Sequence, residues 1–301
     1  MTKKTTYLLG IVITILLGTY FFMTCCSCCE ASSEIPETKI VEESQPEATA
    51  YPFKFSDGSF SYDSNDNFNF NRSSSSILRP LSAKVTEGIG GIKSYLKENA
   101  SKVFDITGFY KSDEANKSAF PNLGIARANA IKNHLVAQGI PSSSLTILGT
   151  LKEDMISSSE NVFLGPVSYA FSNEHEDLEE EMKALYDKIK ADPLVLYFNT
   201  GEAAITLTVS ERQKIAAISK YLDKIEGANC SVVGHTDSQG NRITNIGLGQ
   251  ERADFAKQYL SENGILASKI IATSKGPDTP IATNDTDEGR SQNRRTVITL
   301  N

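Results

Sequence analysis

The sequence has no tryptophan, three histidines and five cysteines among its 301 residues. Four of the cysteines, Cys25, Cys26, Cys28 and Cys29, crowd together, and Cys230 stands alone. A disulfide-knotted domain is excluded, because its bridges would have to be spread along the chain. Ten prolines and twenty glycines are too few for a collagenous or low-complexity chain. His134, His175 and His235 lie far apart, with no Cys or Glu set beside them to complete a zinc site. No Gly-x-Ser-x-Gly elbow occurs, and Gly247-Leu-Gly249-Gln-Glu-Arg252 lacks the third glycine of a dinucleotide loop. No catalysis, cofactor or metal is therefore expected.

A basic surplus is missing too. The net charge is −7. The acidity is concentrated in residues 30–75 and 165–193, which sum to −6 and −5, while 194–301 is neutral. Without a cationic face to displace counterions from phosphates, nucleic acid is not an expected partner.

One long apolar run exists. Lys3 and Lys4 precede it, its centre is Tyr7–Thr24, and Glu30 and Glu34 follow. As a helix it would measure about 27 Å, close to a bilayer core. Positive charge before it places the N-terminus in the cytoplasm and the rest outside. A small-x-small cleavage site is lacking, and Phe22-Met23-Thr24-Cys25 fits a lipidation site poorly. Residues 1–29 are accordingly read as an uncleaved signal anchor, with cleaved and lipid-anchored forms as the alternatives. Carboxylates are absent from residues 7–24, which argues against a proton-carrying span. The cysteine cluster is read as a sulfur-rich membrane edge, able to link two chains.

Residues 30–65, rich in Glu, Ser, Pro and Asp without a sustained period, are expected to be a flexible linker reaching about 35–40 Å. Two segments then repeat each other. In the first, residues 66–172, a strand at Phe68–Asn71 precedes a helix from Pro80, strand 103–108, helix 123–138 and strand 145–149. In the second, residues 194–301, strand 194–199 precedes a helix from Glu211, capped by Ser210 with Gln213. Strand 230–234, helix 248–263, strand 270–273 and a last strand at 296–300 complete it. Leu-Gly-x-x-Arg-Ala occurs at 123–128 and again at 248–253. Between the copies, residues 173–193 read as an acidic helix whose Leu178, Met182, Leu185 and Ile189 face a neighbour.

Val233-Gly234-His235-Thr236-Asp237 ends one strand, and Asn245-Ile-Gly-Leu248-Gly-Gln-Glu-Arg252-Ala253 opens the next helix. Asn284-Asp-Thr-Asp-Glu-Gly289-Arg290-Ser-Gln-Asn293-Arg294-Arg295 precedes the final strand. With these three motifs in order, residues 194–301 resemble the OmpA-like peptidoglycan-binding domain of OmpA C-terminal domains, peptidoglycan-associated lipoproteins and flagellar stator proteins. The resemblance implies an α+β fold: tandem β-α-β-α-β sandwich domains behind a single transmembrane helix, the first a degenerate copy. It also implies a Gram-negative cell envelope, with the domains in the periplasm and an outer-membrane association left open. A homo-oligomer or an envelope protein partner is left open as well.

The family's ligand-binding Asp and Arg fall on Asp237 and Arg252. Diaminopimelate exposes an ammonium beside a carboxylate, so an anion and a cation held apart suit it. Asp237 accepts from the ammonium, and Arg252 clamps the carboxylate with its planar fork, helped by free N–H groups at the helix start. Thr236 and Asn245 add neutral hydrogen bonds; Arg290, Asn293 and Arg294 order the adjacent loop or make secondary contacts. The structural alternative is an internal Asp237–Arg252 ion pair. Gly249 departs from the family, where Ser is usual, so a looser helix start is expected. In the first copy, Lys111 aligns with Asp237 and Arg127 with Arg252; two cations would meet the ammonium unless Asp113 or Glu114 substitutes a carboxylate. That copy is not expected to bind.

The functional alternative is an envelope structural or protein-interaction subunit that no longer binds peptidoglycan. The topology has its own test: a reporter active only in the cytoplasm, fused at Asn301, stays silent. A mature chain starting beyond Cys29 would show cleavage instead.

Overall fold

The computed structural model describes residues 12–21, 47–173, 177–197 and 207–301. The chain divides into two compact units, Met1–Gln45 and Pro46–Asn301. In the first unit residues 12–21 are helical (α1). Among the described residues no helix is long and apolar enough to cross a membrane. Both ends of the expected span, the cysteine cluster and the linker up to residue 46 lie outside the described residues.

The second unit holds two lobes in a mixed α/β arrangement. The first lobe opens with β1 (Phe53–Asp57) and β2 (Phe60–Ser64), an antiparallel hairpin. The linker reading had covered this stretch, and the structure corrects it. Phe53 and Phe55 alternate with Lys54 and Ser56, so one face of β1 enters the core while the other stays polar. The polar face, including a 2.7 Å Lys54–Asp63 ion pair across the hairpin, is what made the segment look like linker.

The expected strand at Phe68–Asn71 shrinks to β3 (Phe70–Asn71), which pairs with β6 (Val162–Phe163) outside the main sheet. Helix α2 (Ala83–Glu98) is capped by the Ser82 side chain and buries Val85, Ile89, Ile92 and Leu96 on one stripe. The sheet itself has the order β5-β4-β7. Strand β4 (Lys102–Tyr110) runs parallel to β5 (Leu145–Leu151) and antiparallel to β7 (Val167–Asn173). Helix α3 (Leu123–Ala137), capped by Asn122, covers it. The core here is aromatic: Phe104 stacks on Tyr169 with centroids 5.6 Å apart, and Phe53 meets Tyr169 edge-on at 4.8 Å.

Helix α4 (Leu178–Ala191) buries Met182 and Ile189 and packs on the first helix and the last strand of the second lobe. That lobe consists of β8 (Leu194–Tyr197), α5 (Val209–Lys224), β9 (Cys230–His235), α6 (Arg242–Glu262), β10 (Ile270–Gly276), α7 (Asp287–Asn293) and β11 (Arg295–Leu300). Its sheet order is β10-β9-β11-β8, with β9–β10 parallel and β11 antiparallel to both β8 and β9. This core is aliphatic, built on Leu194, Ile215, Ile218, Val232, Ala256 and Leu260.

Two local expectations change. The capping box at α5 uses Thr208 and Glu211, one of two overlapping Ser/Thr-x-x-Glu/Gln frames, so Ser210 lies inside the helix. Helix α6 begins at Arg242, six residues before Leu248, because Asn241 accepts from the Ile243 and Thr244 N–H groups.

The lobes are locked together. Lys132 of α3, 2% exposed, pairs with Asp223 at the end of α5. Asn129 and Asn133 of α3 donate to the Asn263 and Gly264 carbonyls just past α6, each at 3.1 Å. Asn263 in turn accepts from the Ala119 N–H at 2.8 Å.

In both lobes the helix bearing the arginine motif touches the central strand through paired glycines. A Cβ on Gly234 would lie 1.8 Å from the Gly249 carbonyl oxygen, and one on Gly108 would lie 2.0 Å from that of Gly124. A Cβ on Gly249 would meet Ser274 Oγ at 2.3 Å, so a larger residue there would require the Ser274 hydroxyl to turn aside. Gly234→Ala should destabilise the protein by about 1–3 kcal/mol or more in denaturant titration. Gly90→Ala, on the exposed face of α2 with open space around it, should instead stabilise by about 0.5–1 kcal/mol. Equal responses would remove the packing argument.

Candidate functional site

The end of β9 gathers the charged residues. Thr236 is buried and spends its groups on the chain: its N–H donates to the Gly276 carbonyl at 2.9 Å, its hydroxyl to the Asp237 carbonyl at 2.9 Å. Asp237 Oδ1 accepts from the Gln239 N–H at 3.1 Å, closing a local turn. Asn245, in the first turn of α6, donates to the Gln239 carbonyl at 2.9 Å and to that of Asp237 at 3.3 Å. Both side chains thus shape the loop that presents Asp237.

Asp237 Oδ2 accepts from Arg294 Nη1 at 2.8 Å, and the two side chains are 15% and 19% exposed. The internal Asp237–Arg252 pair does not form: among the described residues, the hydrogen-bond partner of Arg252 is the His235 carbonyl, at 3.1 Å. Arg252 is 8% exposed. Burial is the main influence depressing its pKa, with Arg294 adding to it and Asp237 opposing. Glu251 opposes it as well, and of the two guanidinium groups it is Arg294 that bonds the Asp237 carboxylate.

The helix-start argument for the carboxylate is overturned. Arg252 is the eleventh residue of α6, about 15 Å along the axis from its beginning. The N–H groups around it are bonded within the helix.

Arg290 and Asn293 lie on α7, a helix absent from the sequence reading. Fully buried Asn293 accepts from the Ile281 and Ala282 N–H groups at 2.8 and 3.2 Å, and donates to the Ala282 carbonyl at 2.9 Å. Arg290 Nη1 donates to the Asn284 carbonyl at 2.7 Å. Asn284 Oδ1, at the tip of this loop, accepts from the Ser238 N–H at 3.1 Å, joining it to the turn at Asp237. Asn284 and the direct Arg294–Asp237 bond were not singled out in the sequence; the polar run between Asn284 and Arg295 was the available signal.

These contacts complete the geometry in which to place the known proteins. Residues 197–294 match the OmpA family. This segment is an OmpA family domain. The chain is 37% identical over 98 residues to "Probable lipoprotein YiaD" of Escherichia coli, covering 33% of this chain and 45% of that one. It is 32% identical over 90 residues to the "Peptidoglycan-associated lipoprotein" of Brucella melitensis, covering 30% and 54%. The solved C-terminal domain of Helicobacter pylori MotB is 27% identical, covering 36% of this chain and 84% of that one with a TM-score of 0.31. The chain spans about half the length of these two curated relatives. The OmpA segment takes in Asp237, Arg252, Arg290, Asn293 and Arg294, and the first lobe lies outside it.

His235 supports the same strand end from within. It is 5% exposed, and its Nδ1 shares a 2.9 Å hydrogen bond with Thr279 Oγ1. Burial, then Arg295 and Lys275, lower its pKa from 6.5 to about 4. As pH falls between these values, the unfolded chain takes up a proton that the folded chain excludes, and stability is lost. The loss should be on the order of 3 kcal/mol between pH 7 and 4. Urea titrations of wild type and His235→Gln across this range should show the stability difference between them shrink by that amount. An unchanged difference would mean that His235 protonates as readily as a free histidine.

Proposed function

We propose that the second lobe binds peptidoglycan non-covalently through the diaminopimelate side group, as a non-catalytic module tethered to a membrane by the N-terminal segment. The observation that carries this reading is the Arg252–Asp237–Arg294 cluster. A buried guanidinium, hydrogen-bonded to the His235 carbonyl, lies near a second guanidinium and the carboxylate that the second one holds. The Arg252 guanidinium, which no carboxylate bonds among the described residues, suits the ligand's carboxylate, and the Asp237 carboxylate suits its ammonium. Similarity to a protein named peptidoglycan-associated lipoprotein supports the same ligand. The setting proposed is the Gram-negative envelope, with both lobes outside the cytoplasm.

One observation favours a second reading. Asp237 already holds Arg294, so the cluster satisfies its own anion without a ligand. In that case the lobe would serve as an envelope structural subunit.

Sedimentation of the full chain with purified diaminopimelate-type peptidoglycan separates the two. Asp237→Ala and Arg252→Ala should each weaken retention by roughly 30-fold or more, corresponding to about 2–5 kcal/mol for unpairing a desolvated charge. Folded variants that pellet like wild type would overturn the site. A wild type that does not pellet would favour the structural subunit.

A further inference from the structure

The junction between arginine helix and strand occurs a second time, and there a carboxylate fills it. Leu123-Gly-x-x-Arg127-Ala of α3 repeats Leu248-Gly-x-x-Arg252-Ala of α6, and each arginine lies beside a glycine-paired strand. Arg127 Nη1 donates to the Phe109 carbonyl at 2.8 Å, one residue past Gly108. Arg252 Nη1 makes the same bond to the His235 carbonyl, one residue past Gly234.

Beyond that bond the two sites differ. The side chains of Arg127 and Glu114 are both fully buried and form an ion pair. Glu114 Oε2 accepts from Arg127 Nη1 at 3.0 Å and from the Lys111 N–H at 2.9 Å. Glu114 Oε1 accepts from Arg127 Nη2 and from the Ser73 N–H, the latter at 2.9 Å. Arg127 Nε donates to the Ser74 carbonyl at 3.1 Å, and the guanidinium lies over the rings of Phe70 and Phe163, with centroids 5.7 and 5.3 Å away. Lys111, expected to face the ligand as a second cation, donates its Nζ to the Met155 carbonyl instead, at 3.1 Å. Burial alone would raise the Glu114 carboxyl, but Arg127 and the two backbone N–H groups hold it below the usual carboxylate range.

We propose that the first lobe contains a carboxylate-binding site, built from Arg127 and the N–H groups of Ser73 and Lys111, which the chain's own Glu114 occupies as a built-in ligand. The donors come from three segments and converge on the carboxylate, as they would on a free anion, while Arg127 also holds the Phe109 and Ser74 carbonyls. The side chain fills the place from which an open site would receive a carboxylate, so the anion position at Arg127 is taken. The argument rests on the first lobe and holds whether or not the second lobe binds peptidoglycan.

Glu114→Ala removes the atoms that an acetate ion would restore, leaving a desolvated cation and two N–H groups without an acceptor. In thermal unfolding of the full-length chain in detergent, this variant should melt roughly 10 °C below wild type. Sodium acetate should raise its Tm progressively with concentration, while sodium chloride at matched ionic strength does not. Glu114→Gln, which keeps the space filled, should not respond to acetate, nor should wild type. If Glu114→Ala does not fold unaided, refolding from urea in acetate but not in chloride is the expected result. Failure in both salts, a Tm unmoved by acetate, or equal shifts in all three proteins would overturn the proposal.

Discussion

The arginine at each helix–strand junction constrains what surrounds it. Glycine faces glycine there, so the helix backbone lies almost on the strand and the arginine three residues further on reaches the carbonyl at the strand's end. Such a guanidinium is largely cut off from water, and an isolated desolvated cation is costly. Each lobe must therefore provide compensating acceptors or negative charge. The first does so with Glu114 and a wall of aromatic rings. The second places Asp237 nearby but bonds it to Arg294, leaving Arg252 with a backbone carbonyl as its internal partner.

Much of this framework was legible in the sequence because it is local. The Leu-Gly-x-x-Arg-Ala repeat and the apolar periods identified α3, β4, β5, α5, β9 and β10 in approximately their observed places. What escaped has physical reasons. Hairpin β1–β2 carries its apolar residues on one face only, within an acidic stretch, so its composition resembled linker. The repeat at Leu248 is where the start of α6 is expected; in α3 the cap, Asn122, does immediately precede the repeat. In α6 the cap is Asn241, six residues earlier in the equivalent frame, and the added turns carry Asn245. Helix α7 is only seven residues long and almost wholly polar, with no apolar period to reveal it. The charge pairings were the least legible. Asp237–Arg294 joins residues 57 positions apart, and the choice between Arg252 and Arg294 depends on how α7 delivers the chain to β11.

The two lobes also act on each other through α6. Its N-terminal turn shapes the Asp237 loop by way of Asn245, while just past its other end Asn263 and Gly264 are held by the asparagines of α3. The buried Lys132–Asp223 pair reinforces this contact, its lysine accommodated in an apolar setting only because the aspartate is there. The first lobe thus fixes the distal end of the helix that carries Arg252. Packing of this kind restrains rotation of the helix against β9, the motion that would otherwise change how Arg252 is aimed.

The pairing of charge differs between the two arginines. Around Arg127 one cation meets one anion, and the Glu114 carboxylate has four donors, which leaves neither net charge nor access for a ligand. Around Arg252, among the described residues, no carboxylate bonds the guanidinium, and Asp237 and its partner Arg294 retain partial contact with solvent. The same fold element thus carries a carboxylate bonded to its arginine in one lobe and not in the other, because the loop after the first lobe's central strand brings Glu114 to the buried guanidinium.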